Sequence, residues 1–370
     1  MRVVLVLAMT TSGCVAGTPA PGPSSPTVGT DRTEDVRSVL ARRAAHTATD
    51  LIDGSTVVVG GCDTDGCTSA TASTVVVGPE GPASVSGLHD ARDAHSATRL
   101  DDGSVLVAGG FAFEGQPPLT SAEIYDPAAR SWSVVASLAV GRGGHAAARW
   151  GDGRVLVAGG WIRPRRYTAT TEIFDPLRGQ FSPGPDLPVA ADGLAASALG
   201  DGSVLVTGGQ VASGVATATA VVLRPDGSST VVGPMRQARY KHAMVILPSG
   251  RVLVIGGTSD DHTLLTSTEI YDPVAQRFGP GPALVAGRYK LAGSAAVLPD
   301  GRVVVAGGGP GVEIIDPRTQ SSKMVAGVDA NRLSFSTVSV VGMDLRIIGG
   351  YDQEIRLTRT DLTIPLSRLS

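Results

Sequence analysis

Aromatic residues make up only 4% of the 370 positions, and cysteine occurs three times. Helical periodicity of useful length is missing, and the apolar run near the N-terminus is too short to span a bilayer. The net charge of −3 argues against a nucleic-acid surface, which needs clustered lysine and arginine. No phosphate-binding loop, Gly-x-Ser-x-Gly elbow or Cys-His nucleophile pair occurs. The sequence therefore carries no signature of those enzyme classes.

Glycine, by contrast, is abundant, with 48 residues, and its pairs mark a repeat. A short apolar run ends in a Gly-Gly pair seven times, and the first glycines are Gly60, Gly109, Gly159, Gly208, Gly256, Gly307 and Gly349. Successive pairs are 49, 50, 49, 48, 51 and 42 residues apart. A Gly-containing turn precedes each of the first six pairs, which suits the positive φ of a two-residue hairpin loop. This alternation predicts antiparallel strands joined by tight turns.

A second motif, Glu-x-aromatic-Asp-Pro, lies in register with the glycine pairs. It begins at Glu123, Glu172 and Glu269, with a weaker copy at Glu313. A further aromatic residue follows at Trp132, Phe181 and Phe278. Together these motifs resemble the kelch motif, and the resemblance covers nearly everything after about residue 35. It implies an all-β fold, a seven-bladed kelch-type β-propeller with four-stranded antiparallel blades, and we favour seven blades over six.

The ends of the chain differ from the repeats. We assign residues 34–370 to the propeller, and residues 15–33, rich in Pro, Ser, Thr and Gly, to a linker. Residues 1–14 have a positive charge, a brief apolar run and small residues before Cys14, and they resemble a bacterial lipoprotein signal, in which that cysteine is lipidated. An ordinary cleaved signal and a misassigned start codon are the alternatives. We therefore expect a secreted or cell-envelope protein that contacts a bacterial membrane only through a lipid anchor.

Residues 34–43 match the end of a fourth strand. We predict that this N-terminal strand completes or latches the last blade, because an open ring would expose two sheet edges.

The two cysteines that follow Cys14 bracket a short loop after the first glycine pair. We predict a structural disulfide between Cys62 and Cys67, since disulfides persist in an oxidising envelope. A redox or metal role is less favoured, and the faint likeness of Asp63, Asp65 and Gly66 to a calcium loop lacks a distant acidic ligand.

One position recurs fourteen residues before the glycine pair and carries His46, His95, His145 and His242. The fourth and seventh copies have Leu194 and Phe335 there, and the sixth has Leu291 after a two-residue insertion. An arginine stands three residues before each histidine, at Arg43, Arg92, Arg142 and Arg239, and Arg288 precedes Leu291. If each repeat is a blade, these histidines lie at one rim of the central channel.

The kelch resemblance gives this Arg-x-x-His segment two interpretations. In kelch-like copper oxidases a copper-ligand histidine occupies this place, and His242 resembles it; in a peptide-binding kelch domain, arginines at this place bind carboxylates. We therefore treat His46, His95, His145, His242, Arg92, Arg142 and Arg239 as candidate ligand-binding residues. The alternative is that the segment is part of the scaffold, because scaffold positions obey repeat symmetry whereas catalytic sites break it.

Copper-radical oxidation itself is disfavoured by the residues. That chemistry needs a tyrosine cross-linked to a cysteine, and this chain has Gly144 at the matching place and no cysteine near His95. A His-only metal site on the rim remains open, because neutral imidazoles are common metal ligands. We predict no catalytic residue, metal or cofactor.

The loops between second and third strands are long and unlike one another. The most distinctive carries Trp161, Arg163, Arg165, Arg166 and Tyr167. Aromatic and arginine side chains dominate binding hot spots, so this loop is a candidate contact for a protein or polysaccharide, unless Trp161 packs on its own blade. We predict a monomeric, non-catalytic binding or scaffold module that does not bind nucleic acid. The alternative is an enzyme with a metal- or sugar-binding site at the channel mouth, of the kelch-like oxidase or sugar mutarotase class.

Overall fold

The structure, a computed structural model, describes residues 40, 42–164, 166–328, 333–352, 354–358 and 361–369. The chain divides into two units, Met1–Thr33 and Glu34–Ser370, and the described residues all lie in the second. The predicted signal with Cys14 and the predicted linker lie outside the described residues. Within the described ranges, no helix combines the length and apolar character of a membrane span.

The first three blades follow one another along the chain. Blade 1 comprises β1 (Thr47–Asp50), β2 (Thr56–Val59), β3 (Thr74–Gly78) and β4 (Gly81–Val85). Blade 2 comprises β5 (Ser96–Arg99), β6 (Val105–Ala108), β7 (Ala122–Asp126) and β8 (Ser131–Val134). Blade 3 comprises β9 (Ala146–Arg149), β10 (Val155–Ala158), the small hairpin β11 (Trp161–Arg163) and β12 (Arg166–Tyr167), then β13 (Thr171–Asp175) and β14 (Gln180–Pro183).

Four further blades complete the fold. Blade 4 comprises β15 (Ala195–Ala198), β16 (Val204–Thr207), β17 (Ala220–Leu223) and β18 (Ser229–Val231). Blade 5 comprises β19 (Ala243–Ile246), β20 (Val252–Ile255), β21 (Thr268–Asp272) and β22 (Arg277–Pro280). Blade 6 comprises β23 (Ala295–Val297), β24 (Val303–Ala306), β25 (Val312–Asp316) and β26 (Ser321–Met324). Blade 7 comprises, in its described part, β27 (Thr337–Val341), β28 (Asp344–Ile348) and β29 (Asp361–Pro365).

These sheets form a closed ring. Within each blade, neighbouring strands pair antiparallel in chain order, except that in blade 3 the β11–β12 hairpin stands apart and β10 pairs with β13. The first strands of successive blades contact one another in the order β1, β5, β9, β15, β19, β23 and β27, and β27 contacts β1 again. The seven-bladed, all-β propeller with four-stranded antiparallel blades is therefore confirmed.

The Asp-Gly turns explain the strong repeat signal between first and second strands. In blade 2, Gly103 has a φ of 87°, and the Asp102 carboxylate accepts hydrogen bonds from the Ser104 backbone N–H at 2.9 Å and its Oγ at 2.6 Å. The seventh copy lacks the Asp-Gly pair. It still forms a hairpin, because Gly342 supplies a φ of 60° between β27 and β28.

The hydrophobic core lies between the blades. Val57 of blade 1 packs with Val105 and Tyr125 of blade 2. The Tyr125 ring lies 5.2 Å from that of Trp132 in the fourth strand, and Trp132 Nε1 donates to Thr74 Oγ1 of blade 1 at 3.0 Å. The few aromatic residues therefore fill the space between neighbouring blades, which widens towards the outside of the ring.

A buried arginine braces the blades from within. The Arg142 guanidinium donates to the carbonyl oxygens of Gly159 (2.9 Å) and Thr170 (2.8 Å) and to Glu172 Oε1 (2.8 Å). Glu172 also accepts the backbone N–H groups of Ala139 and Val140, in the segment that leads into the blade. Arginine and glutamate thus join this segment to the second and third strands. The equivalent pairs are Arg92–Glu123, Arg239–Glu269 and Arg288–Glu313.

Blades 1 and 7 meet at the seam where the ring closes. Gly350 N donates to Arg43 O at 2.7 Å. The loop between Cys62 and Cys67 docks on the second-to-third-strand loop of blade 7, with Gly66 N donating to Ile355 O and Leu357 N donating to Asp65 Oδ1, each at 2.8 Å. Loop contacts therefore hold the seam together.

The predicted N-terminal latch falls mostly outside the described residues, which begin at residue 40 and omit residue 41. Leu40 is buried between the two end blades, against Val58, Val75 and Ile348. Leu40, Arg42 and Arg43 belong to no strand of the described sheets. A strand over residues 34–43 therefore stays a prediction.

Replacement of Arg142 by methionine tests the internal brace. We expect Arg142→Met to lower the free energy of unfolding by about 3 kcal/mol or more, because Glu172 and two carbonyl groups would stay buried without their charged donor. Urea unfolding followed by circular dichroism measures the loss. The control is Arg149→Met, which removes an exposed ion pair with Asp101 and should cost less than about 1 kcal/mol. Equal losses would contradict the assignment of a bracing role.

Candidate functional site

A cavity of about 740 Å³ lies at the mouth of the central channel, where the first strands begin. Every blade contributes to its wall, through His46, His95, His145, Leu194, His242, Leu291 and Phe335 among others. The second-to-third-strand loops border the same end, because second strands end where first strands start. The predicted rim histidines and the predicted contact loop therefore surround one opening.

A ring of seven residues in left-handed backbone conformation, which we call the throat ring, encircles the channel, and six of its members line this cavity. Its members, one from each blade, have φ between 46° and 66° and are Ala45, Ala94, Gly144, Gly193, Lys241, Lys290 and Phe335. Backbone hydrogen bonds of 2.8–3.3 Å join each blade to the preceding one and return from Ala45 N to Phe335 O. At blade 6 the donor is the following residue, Leu291. The throat ring is thus a closed circle of peptide groups.

A second layer, the mouth layer, stands above the throat ring. It contains the residue before each ring member: Ala44, Asp93, Gly143, Asp192, Tyr240, Tyr289 and Ser334. Six of them form antiparallel bridges to the residue after a glycine pair, as Ala44–Cys62, Asp93–Phe111, Gly143–Trp161, Asp192–Gln210, Tyr240–Thr258 and Ser334–Tyr351. The side chains in this layer differ from blade to blade, so the repeat symmetry breaks at the mouth.

Blades 2 to 4 make one side of the mouth acidic and aromatic. Burial raises the pKa of Asp93 to about 7. Burial also raises the pKa of Asp192, to about 6, although nearby Lys241 opposes this shift. A Cβ at Gly144 would collide with the Asp192 carboxylate, so the glycine makes room for it. Both carboxyl groups can therefore exchange protons near neutral pH.

The opposite side of the mouth is basic. Lys241 Nζ lies 3.0 Å from Asp261 Oδ1 and 5.1 Å from the centre of the Tyr240 ring. Lys290 Nζ lies 5.0 Å from the ring centre of Tyr289, 4.9 Å from that of Tyr351 and 5.8 Å from that of Phe335. Cation–π contacts with these rings hold Lys290 against its neighbours in blades 6 and 7.

The predicted contact loop contributes two residues to the cavity. Trp161 and Tyr167 pair across the β11–β12 hairpin and both line the wall. The Trp161 ring stands edge-on to Phe111, with centroids 4.9 Å apart, and the Tyr167 hydroxyl donates to Gln210 Oε1 at 3.2 Å. Arg163 and Arg166 are exposed and do not line the cavity, and Arg165 lies outside the described residues.

The four rim histidines are buried links between blades. Each Nε2 shares a hydrogen bond of 2.7–3.0 Å with a hydroxyl of the preceding blade, in the pairs His46–Thr337, His95–Thr47, His145–Ser96 and His242–Thr207. Burial, with a smaller effect of the neighbouring arginine, lowers the pKa of His145 and of His242 to about 3. These imidazoles are therefore neutral at physiological pH.

The glycine pairs accommodate this arrangement. A Cβ at Gly109, whose φ is 65°, would collide with Arg142 O and lie within 2.9 Å of His145 Cε1. In blade 7 the histidine place is taken by Ser336, which faces Gly307, while Phe335 belongs to the throat ring. The fourteen-residue spacing predicted Phe335 at the histidine position of blade 7, but in the structure Ser336, one residue later, occupies it.

Arg92, Arg142 and Arg239 are fully buried inside their blades and do not line the cavity. A ligand in the cavity therefore does not meet their guanidinium groups. The histidines line the cavity only in part, and a binding role for them stays a prediction.

Cys62 and Cys67 form a disulfide, with Cα atoms 5.1 Å apart. Both sulfurs and a carboxylate oxygen of Asp93 lie within 4.8 Å of one another. Among the described residues, this is the one group of His, Cys, Asp and Glu side chains close enough to share a metal ion. Because the disulfide engages both sulfurs, Asp93 alone keeps a free ligand atom there. The rim histidines form no such group in the part of the chain that the structure describes.

Sequence reasoning missed the mouth layer. Asp93, Asp192, Tyr240 and Tyr289 occupy the first variable position of the Arg-x-x-His segment, or its equivalent in blades 4 and 6. The sequence feature that indicates these residues is the variation between repeats, for example Arg-Asp-Ala-His in one copy and Arg-Tyr-Lys-His in another. A search for the residues that repeat draws attention to the arginines and histidines instead.

The buried histidines predict acid sensitivity. The pKa of each histidine in the folded protein lies below the ordinary value of ~6.5, so the unfolded chain binds protons first as the pH falls. The free energy of unfolding therefore decreases as the pH falls from ~6.5 towards ~3. For His145→Gln we expect the loss of unfolding free energy between about pH 7.5 and about pH 5 to shrink by roughly 2 kcal/mol. Urea titrations at both pH values measure it. His262→Gln, in an exposed loop, is the control, and an unchanged pH dependence in His145→Gln would refute the prediction.

Comparison with known proteins agrees with this geometry. The kelch motif family matches residues 94–139 and 142–188, which cover most of blades 2 and 3. A sequence search of curated proteins finds no match.

Solved structures share the fold at low identity. The structure of YjhT superposes with a TM-score of 0.59 at 14% identity, covering 76% of this chain and 97% of that one. A fungal alcohol oxidase of the AA5 family, in complex with copper, superposes with a TM-score of 0.58 at 16% identity, covering 87% and 75%. At these identities the likeness shows the fold alone. The chain is therefore a seven-bladed β-propeller that carries kelch motifs in blades 2 and 3.

Proposed function

We propose that the protein is a non-catalytic binding module that takes a carbohydrate chain into the cavity at its channel mouth. The observation that carries this proposal is the contrast between two layers. The arginines and histidines obey the repeat and are engaged inside the scaffold, whereas unlike polar and aromatic groups line the cavity, among them Asp93, Trp161, Tyr167 and Asp192. Convergence of unlike groups in one concave site is the usual mark of a binding pocket.

The wall chemistry favours a sugar over other small ligands. Trp161 and Phe111 offer apolar faces, on which the C–H face of a sugar ring can pack. Tyr167 lines the same wall, and its hydroxyl is held by Gln210, which accepts from Tyr167 and donates to Tyr240 OH at 3.0 Å. Asp192 adds a carboxylate acceptor for sugar hydroxyls. Such a mixture of stacking faces and fixed polar groups can hold a polyhydroxylated ring.

The proposed location is the bacterial cell envelope. Residues 1–33, with a lipoprotein-like signal, Cys14 and a flexible linker, support a secreted protein held to a membrane through a lipid anchor. The Cys62–Cys67 disulfide suits an oxidising compartment. We propose that the module acts there as a monomer.

Loss of the Trp161 ring tests the binding proposal. We expect Trp161→Ala to weaken binding to an immobilised oligosaccharide array by about 2 kcal/mol, roughly 30-fold, because the stacking face is removed. Leu177→Ala is the matched control: it lies in the same blade, in the exposed turn between third and fourth strands at the opposite rim. Binding to envelope peptides but to no oligosaccharide would replace the carbohydrate proposal with a protein partner. Equal binding by Trp161→Ala and the native protein would overturn the cavity as the site.

One observation favours an enzyme as the second candidate. Asp93 and Asp192 face one cavity with pKa values raised by burial to about 7 and about 6, which suits general acid–base chemistry. Sugar mutarotation needs a base that takes the proton of the anomeric hydroxyl and an acid that protonates the ring oxygen while the bond between that oxygen and the anomeric carbon breaks, after which the ring closes on the other face. Polarimetry of freshly dissolved sugars with and without the protein distinguishes the two functions, because a binding module leaves the rate of anomer equilibration unchanged.

A further inference from the structure

We propose that Cys62, Cys67 and Asp93 form a thiol–disulfide exchange site that oxidises small thiols entering through the cavity mouth. This activity goes beyond carbohydrate binding and does not depend on it. The proposal rests on the unequal accessibility of the two sulfurs, on the position of the carboxyl group beside them and on the support of the loop that carries them.

The two cysteines differ in accessibility. Cys67 is partly exposed and lines the cavity, whereas Cys62 is fully buried at 0% exposure. An incoming thiolate must approach the sulfur that it attacks, so Cys67 Sγ is the accessible electrophile. Cys62 Sγ is then the leaving group, and it departs into a site that water does not reach.

Asp93 stands where a proton is needed. One of its carboxylate oxygens lies within 4.8 Å of both sulfurs. Its carboxyl group makes no side-chain hydrogen bond with the other described residues and lines the same cavity. Burial raises the pKa of Asp93 to about 7, so a large fraction is protonated at neutral pH. A buried thiolate leaving group is costly without a proton, and this carboxyl group is placed to supply one.

The exchange balances as follows in atoms and electrons. A thiolate RS⁻ attacks Cys67 Sγ, the Cys62–Cys67 bond breaks, and a mixed disulfide forms between RS and Cys67. Cys62 Sγ leaves with the bonding electron pair and takes the proton from Asp93. A second thiolate then attacks the sulfur of the bound RS group and releases RSSR and the Cys67 thiolate. The protein disulfide is reduced by two electrons, and two thiols are oxidised to one disulfide.

The surrounding loop keeps the reduced pair together. Gly66 N and the Asp65 carboxylate are bonded to Ile355 and Leu357 of blade 7, and Cys67 N donates to Thr64 O at 3.0 Å. These bonds do not involve sulfur, so they persist when the disulfide opens. The two thiols therefore remain neighbours, and the bond can re-form by the reverse exchange, in which a small disulfide RSSR accepts the two electrons and leaves as two thiols.

Glutathione serves as the probe thiol. The full chain carries Cys14→Ser, so that Cys62 and Cys67 are the only cysteines whose reduction is measured. Alkylation and mass spectrometry follow the appearance of the dithiol between about pH 6 and about pH 9. We expect the rate constant per glutathione thiolate to fall above about pH 7, as Asp93 loses its proton. In Asp93→Asn it should be at least about tenfold lower at pH 6 and independent of pH.

Asp63→Asn is the matched control, because it removes an exposed carboxylate from the same loop and should leave both the rate and the pH profile unchanged. An Asp93→Asn protein that exchanges as fast as the native one, with the same pH profile, would overturn the proposal.

Single-cysteine variants provide a measurement that does not need Asp93 to be altered. We expect Cys67 in Cys62→Ser to react with an aromatic disulfide reagent at least about tenfold faster than Cys62 in Cys67→Ser, because only Cys67 lines the cavity. Equal reactivity of the two cysteines would show that Cys67 is not the preferred point of attack and would refute the proposal.

Discussion

The throat ring is the constraint on which the rest of the molecule depends. Seven peptide groups, one from each blade, bond in a circle, and their left-handed conformation is unfavourable for Ala45, Lys241 or Phe335 alone, by about 1 kcal/mol or more each. The conformation persists because each blade satisfies a backbone group of its neighbour, so that leaving it would break a hydrogen bond on both sides. The ring therefore fixes how far each blade can rotate about the channel axis.

The fixed backbone of the throat ring also gives the residues on either side of each ring member different positions. The residue after each ring member points between blades, where His145 or Leu194 packs over the glycine of the preceding pair. The residue before it stands in the mouth layer. Structural and variable side chains therefore alternate within one short segment, and blade 4, which has Ala191 and Leu194 in place of arginine and histidine, still presents Asp192 at the mouth.

The fold was predictable because its determinants repeat. Glycine pairs, Asp-Gly turns and the Glu-x-aromatic-Asp-Pro motif each reflect a local requirement, such as positive φ at Gly103 or a carboxylate that accepts two N–H groups at Glu172. The rim position of the histidines was predictable for the same reason. The cavity wall was not, because Asp93 of blade 2 meets Cys67 of blade 1, and Tyr167 of blade 3 meets Gln210 of blade 4, only when neighbouring blades pack together, and no spacing along the chain encodes those contacts. The throat ring was hidden as well, since Ala, Gly, Lys and Phe share no side-chain property and have only a backbone conformation in common.

The seam explains why unusual chemistry lies where it does. Blades 1 and 7 are the one neighbouring pair not connected by consecutive chain, so noncovalent contacts alone hold their junction. The loop from Cys62 to Cys67 supplies such contacts by docking on Ile355 and Leu357, and it departs from the repeat in doing so. The contacts with blade 7 hold this loop in place, while its sequence need not follow the repeat. It can therefore carry reactive side chains that the repeated scaffold positions do not allow. The disulfide beside Asp93, partly open to the cavity at Cys67, is such a placement, and it follows from closing a circle with two free ends.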